Sequence, residues 1–209
     1  MQPRVSALVC SGCAKRFEKA VVFRGIDFAL LPGESLAVTG PNGSGKSTLL
    51  EICARVQSPS AGEVRLMRGD ETIPEGDQWN LLGLASARVN PYGELTGAEN
   101  ISFALRARGL EPAVRDRAAE LLDCLGLYRH RDKQVRHYSS GMRQRLGFLL
   151  AVLHDPPVLL LDEPTAHLDG EGRDLMYGLI ERMREGRILL IATNDESEAG
   201  LCAGRLRLA

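Results

Sequence analysis

The nine residues GPNGSGKST, Gly40 to Thr48, set Gly40, Gly43 and Gly45 beside Lys46 and the hydroxyl side chains of Ser44, Ser47 and Thr48. Glycine accepts positive φ and leaves room for close approach, so successive amide hydrogens, those of Asn42 and Ser44 included, can encircle phosphate oxygens. The loop follows the apolar run SLAVT, Ser35 to Thr39, and precedes a helical segment from Ser47 to about Val56. The amino terminus of such a helix adds partial positive charge where an anion would sit. In this pattern Lys46 binds the outer phosphates of a nucleotide and Ser47 ligates Mg²⁺. Of the 26 basic residues only Lys15, Lys19, Lys46 and Lys133 are lysines. A compact ammonium at position 46, in a chain that otherwise uses Arg, fits that role.

A second group of residues completes the chemistry. VLLLDEP, Val158 to Pro164, is an apolar strand ending in two carboxylates, as expected where buried parallel strands deliver side chains to a site at their carboxyl ends. Asp162 would hold Mg²⁺ through its water shell, and Glu163 would polarise an attacking water.

The elements that position these groups are an α/β alternation. Residues Ala7 to about Ala37 read as short strands with a turn near Pro32 and Gly33, and Ala61–Met67 and Asn80–Ser86 read likewise. From Asn90 the texture becomes helical. Thr96 and Glu99 have capping-box spacing for a helix through about Arg108, Glu111–Leu125 repeats apolar residues at helical spacing, and Ser139 can cap a helix from Ser140 to about His154. The tail alternates again: a strand ending at Asp162, a helix Glu171–Arg184, a strand RILLIAT, a short helix Glu196–Ala203 and an edge strand RLRLA. Residues 1–209 are thus expected to form one unit, with 1–89 and 156–209 as a nucleotide-binding core and 90–155 as a helical subdomain.

Composition narrows the partners. The 26 Lys and Arg nearly balance the 27 Asp and Glu, so no overall positive field holds nucleic acid. No apolar run approaches the ~20 residues that span a bilayer, and Met1–Ala20 lacks the apolar centre of a signal peptide, which predicts a cytoplasmic chain. Cys10 and Cys13 form a CxxC with no second pair beside it. They are expected to be small buried residues.

Between the two chemical groups lies YSSGMRQR, Tyr138 to Arg145, a Ser-Gly turn opening an amphipathic helix. Here the chain resembles the ATP-binding cassette ATPases, whose signature is usually written LSGGQ. The likeness runs in order through Phe17, GPNGSGKST, the helical insertion, YSSGM, VLLLDEP, TAHLD and a late switch residue, Asn194. It implies a P-loop NTPase core with a parallel sheet, an antiparallel β subdomain and a helical signature subdomain, using ATP and Mg²⁺. It also implies a homodimer, in which Ser139 and Gly141 of one copy reach the γ-phosphate bound by the other, Phe17 stacks on adenine and Asp169 aligns the two sites. Residues Ala87 to Ala98 would line the groove that docks integral membrane subunits, placing the chain at the cytoplasmic face of a membrane.

Two positions depart from the pattern. Where the family has a Gln near metal and water this chain has Ala87, and where it has a switch His this chain has Asn194. An Asn amide donates a hydrogen bond to a γ-phosphate but carries no charge and exchanges no proton. The short chain, YSSGM, Ala87 and IATN look most like the ATPase subunits of haem exporters in cytochrome c maturation. YSSGM also occurs in drug-export ATPases, and the ATPases of iron–sulfur assembly are likewise single cassettes.

Overall fold

The computed structural model describes residues 5–18, 20–110 and 114–209. The first half of the chain forms β1 (Ala7–Phe17), β2 (Ala20–Leu30), β3 (Ser35–Thr39), α1 (Lys46–Cys53), β4 (Ala61–Arg68), β5 (Glu71–Thr72) and β6 (Leu82–Ala85). Three helices follow, α2 (Gly97–Ala107), α3 (Arg115–Cys124) and α4 (Ser140–Val152), and then β7 (Val158–Asp162), α5 (Gly170–Met183), β8 (Ile188–Ala192), α6 (Glu196–Ala199) and β9 (Gly204–Arg207). Two sheets result: an antiparallel one in the order β2-β1-β4-β5 and a parallel one in the order β6-β7-β8-β3-β9.

The parallel sheet explains the unbroken apolar runs. VLLL of β7 and ILLIA of β8 are buried along their length, because helices or a second sheet cover both faces and strand residues alternate between them. Leu36 and Val38, Val158 and Leu160, and Ile188 and Leu190 join α1 and the inner face of the antiparallel sheet, including Leu8, Phe23 and Leu66. Leu159, Leu161, Leu189 and Ile191 face the other way, into a core with Ile101, Leu121, Phe148 and Met176 of α2 to α5. α1 is therefore packed between two sheets, with Leu49, Leu50 and Ile52 fully enclosed. α4 runs so close over β6 that a Cβ on Gly83 would lie 2.4 Å from the carbonyl of Ala151.

Local signals decide where elements begin. Thr96 and Glu99 form the expected reciprocal cap, Thr96 Oγ1 accepting from Glu99 N at 3.1 Å and Glu99 Oε2 from Thr96 N at 2.7 Å. The start expected for α3 at Glu111 lies outside the described residues; the helix is seen from Arg115. Several elements are shorter than the sequence suggests, among them α1, which ends at Cys53 rather than about Val56 as Arg55 takes a positive φ of 63°. α6 stops at Ala199 rather than Ala203, since Arg184 takes the Leu201 carbonyl at 2.7 Å and Ser35 Oγ takes the Ala203 amide at 2.9 Å, turning the chain into β9. β6 begins at Leu82 because residues before it turn, with Leu81 N bonded to Gln78 O at 2.9 Å.

In a regular strand Cys10 and Cys13 would face opposite ways. A register shift between them, with Gly12 at φ 54°, turns both onto the inner face, where they are buried free thiols. This is the reading expected of them as small core residues.

His154 lies between α4 and β7, 2% exposed, with Nε2–H donating to Leu82 O at 3.1 Å. Burial, aided by Arg108 and Arg117 against the opposing pull of the Leu82 hydrogen bond and Asp155, lowers its pKa to about 4. The unfolded chain therefore takes up a proton near pH 6.5 that the folded chain refuses until about pH 4, so this residue's share of stability is intact above 6.5 and shrinks as pH falls through that window. Across it the loss is about 3 kcal/mol. Urea unfolding midpoints measured over this range should fall less steeply in His154→Gln, which keeps a donor for Leu82 and cannot titrate.

Candidate nucleotide-binding site

The loop between β3 and α1 is shaped by backbone that other residues resist. Gly40, Gly43 and Gly45 have φ of 146°, 84° and 94°. A Cβ on Gly40 would lie 2.6 Å from the Leu208 carbonyl, and one on Gly45 2.4 Å from Val22 Cγ1, so the residue after β9 and a side chain of β2 both press on the loop. Lys46, 6% exposed, folds back to donate from Nζ to Gly40 O at 2.9 Å and Pro41 O at 3.2 Å. The Ser44 hydroxyl is buried and, among the described residues, has no hydrogen-bond partner. Thr48 is half-buried in the first turn of α1.

Ser47 Oγ donates to Asp162 Oδ1 at 3.0 Å, joining the first turn of α1 to the end of β7. Burial holds the Asp162 carboxyl above its usual range, with Glu163 and Glu51 adding to that and Ser47 and Lys46 opposing it. Hard oxygens crowded by like charge fit Mg²⁺. The backbone amides, the ammonium of Lys46 and the orphaned Ser44 hydroxyl fit phosphate oxygens.

Glu163 has a positive φ of 45°, uncommon for a residue with a side chain. Two hydrogen bonds hold it there: its amide donates to Ala192 O at 2.9 Å, and its carbonyl accepts from Gln144 Nε2 at 2.8 Å. The exposed carboxylate lines a cavity of about 410 Å³ with Ser47, Asp162, Gln144, His167 and Ala87. Ala87, expected at the position of the family's Gln, lies on the wall of this cavity and presents only a methyl. On its other side Glu163 borders a shallower depression with Thr193 and Asn194. Asn194 Nδ2 donates to Asn42 Oδ1 at 2.5 Å, so these two residues meet directly across the loop.

Other expected residues lie apart. Ser139 caps α4 by accepting from Met142 N at 3.1 Å, and Asp169 caps α5 by accepting from Gly172 N at 2.9 Å. Both are exposed, and neither they nor Gly141 line the cavity shared by Ser47 and Asp162. Gly141 lies against the TAHLD turn, where a Cβ would be 3.2 Å from His167 O. Phe17 ends β1, 49% exposed, with the Lys15 ammonium 5.0 Å from its ring centre. It is a surface residue rather than a core one.

Three residues that position these groups were not marked by sequence. Gln144, one turn beyond Gly141, also accepts from His167 N at 3.1 Å, clamping the turn after β7 to α4. Glu198 is 2% exposed; it accepts from Thr165 N at 2.7 Å, from Thr165 Oγ1 at 2.5 Å and from Thr193 Oγ1, tying that turn to the end of β8. Glu51 of α1 is equally buried and pairs with Arg88. Helical spacing shows which face a Gln or Glu occupies, but a polar residue on a short polar helix carries no sign of being buried.

The sequence pattern of the family described as ABC transporter matches residues 23–166. The aliphatic sulfonates import ATP-binding protein SsuB of Pseudomonas putida (strain KT2440) is 35% identical over 207 residues, covering 98% of this chain and 73% of that protein. The daunorubicin/doxorubicin resistance ATP-binding protein DrrA of Streptomyces peucetius is 32% identical, over 96% of this chain and 61% of its own length. The dimeric structure of the bacterial ABC transporter cassette MJ0796 superposes with a TM-score of 0.84 over 96% of this chain and 94% of its own, at 23% identity, a likeness of fold. The chain belongs to the ABC transporter family and is an ATPase cassette of that family.

Gly45 tests the loop by itself. Gly45→Ala should lower stability by about 1–3 kcal/mol, through positive φ and collision with Val22. It should also weaken binding of a fluorescent ATP analogue by roughly tenfold or more, as successive amides lose their common focus. Urea unfolding and a nucleotide titration measure the two effects.

Proposed function

We propose that this chain is the ATP-hydrolysing motor of a membrane transporter, acting as two copies that share their nucleotide sites. One observation carries the reading: Lys46, Ser47, Asp162 and Glu163 converge at one end of the parallel sheet, while Ser139, Gly141 and Asp169 lie outside that cavity with two of them exposed. Ser140 and Arg143 of the first turn of α4 reach the cavity, but the exposed cap residue Ser139 does not line it, and in this reading it meets an anion-binding loop from outside its own chain. A second copy would supply that loop. The match to the fold of a cassette solved as a dimer agrees with this arrangement.

In this reading Gly40 to Thr48 wrap the phosphates, Lys46 moves from its loop carbonyls to phosphate oxygens, and Phe17 offers an exposed ring to adenine. Ser47 and Asp162 would hold Mg²⁺, which when bound draws charge off the phosphate oxygens. Glu163 orients water for attack on the γ-phosphorus and accepts its proton, and Asn194 donates its amide to the γ-phosphate. Binding of the third phosphate favours the closed pair and its loss favours the open one, because only the closed state contacts it from both sides.

The partner is a set of integral membrane subunits. Val89, Tyr92 and Phe103 are each about half exposed, and Tyr92 and Phe103 stack edge to face at 5.1 Å, giving an apolar surface beside the cavity within the segment 87–98 and on α2. Such a surface suits a helix docked at the cytoplasmic face of a membrane; no described helix of this chain is itself long and apolar enough to cross one. For the cargo, YSSGM, Ala87 and IATN support export, with haem export in cytochrome c maturation as the specific form. Relatives of similar identity carry both kinds of name, sulfonate import and daunorubicin resistance.

Two experiments test these levels separately. Glu163→Gln should accumulate as an ATP- and Mg²⁺-dependent dimer in sizing chromatography; a variant that binds ATP yet stays monomeric would end the shared-site reading. Copurification after mild detergent extraction should bring down an integral membrane protein of haem-export type. A sulfonate-import permease, a drug-export permease or a soluble iron–sulfur scaffold in its place would replace the haem-export assignment.

A further inference from the structure

The loop after β6 forms one wall of the cavity over Ser47, Asp162 and Glu163, through Ala85, Ser86, Ala87, Val89, Asn90 and Pro91. At its centre Ala87 has no polar side chain, so something else must set where this wall stands. Asn90 Nδ2 donates to Ala87 O at 2.7 Å, which shapes the loop internally. Arg88 ties it to α1. The guanidinium reaches Glu51 through Nε to Oε1 at 3.1 Å and Nη1 to Oε2 at 3.3 Å.

The pair is lopsided in a way that matters physically. Glu51 has a side chain 2% exposed, whereas that of Arg88 is 72% exposed. Gln57 Nε2 also donates to Glu51 Oε2, at 2.5 Å, but an amide carries no charge. A buried carboxylate deprived of its cation is strongly unfavourable, while a surface arginine deprived of its carboxylate loses little. Any displacement of Arg88 is therefore felt by Glu51. Glu51 stands one turn beyond Ser47 on α1, a helix enclosed between two sheets that also carries Lys46.

We propose that Arg88 is a positioning residue for ATP hydrolysis: its pairing with buried Glu51 locks the Ala87 loop to the helix bearing Lys46 and Ser47, and this ion pair takes the place of the polar side chain absent at position 87. The proposal rests on the ATPase and docking reading above and names the link by which the docking segment 87–98 reaches the reacting end of α1. Movement of that segment by a membrane partner would shift Arg88, and with it the balance of charge against α1.

Steady-state ATPase assays and urea unfolding of the full chain test it. Glu51→Gln removes the buried charge together with the anchor, so the protein should fold at least as well as wild type while kcat falls about tenfold and the KM for ATP changes less than about twofold. Arg88→Ala should show the same split in kcat with reduced stability, and Arg88→Lys should recover about half of the kcat or more. A purely structural ion pair predicts the reverse for Glu51→Gln, a stability change at wild-type kcat, and that result would overturn the proposal. If Arg88→Ala fails to fold, Glu51→Gln decides the matter alone. A wild-type chain that hydrolyses no ATP would instead overturn the ATPase reading on which the proposal stands.

Discussion

The contact between Ser47 and Asp162, 3.0 Å long and bridging 115 residues of sequence, is the constraint around which the molecule is arranged. It exists only if the helix after β3 and the end of β7 meet at one end of the parallel sheet, and β8 lies between those two strands to set their spacing. That order requires the inner strands β7, β8 and β3 to be apolar on both faces. The enclosed VLLL and ILLIA runs are the cost in composition of a polar site at the strand ends.

Around that contact, polar side chains are used as fastenings. Glu198 ties the turn after β7 to the end of β8, Gln144 ties the same turn to α4, and Glu51 ties α1 to the loop after β6. Each places a polar group where an unsatisfied partner would be unfavourable, so each joint is either fully made or open. Joints of this kind suit a protein that works by alternating between two states, since intermediate positions leave groups unpaired. The strained backbone at Glu163 belongs to the same set, held from β8 on one side and α4 on the other.

The residues that resemble family motifs divide into two surfaces. One is the cleft of Ser47, Asp162 and Glu163, near which Lys46 folds onto its own loop and Asn194 bonds to Asn42. The other is the exposed amino terminus of α4 with the TAHLD turn packed beside it. Ser139 and Asp169 cap α4 and α5 and are exposed, whereas Ser140 of α4 and His167 of the same turn face the cleft.

What the sequence determined by itself are features read over a few residues: the phosphate-loop glycines, the strand ending in Asp162 and Glu163, the capping box of Thr96 and Glu99, the alternation of strands and helices, and Ala87 and Asn194 as the two departures. These follow from backbone conformation and side-chain chemistry, which are local. Tertiary structure alone decided that Ser47 meets Asp162, that Asn42 meets Asn194, that α6 ends at Ala199, and that Glu51 and Glu198 are buried, the latter on a helix whose other acidic residue, Glu196, is exposed. It also decided that Cys10 and Cys13 share a face, through a strand irregularity at Gly12 that periodicity does not reveal. The physical reason is one of range. Conformational preference and hydrogen-bonding capacity belong to a residue and its neighbours, whereas burial and pairing belong to whichever distant element packs against it.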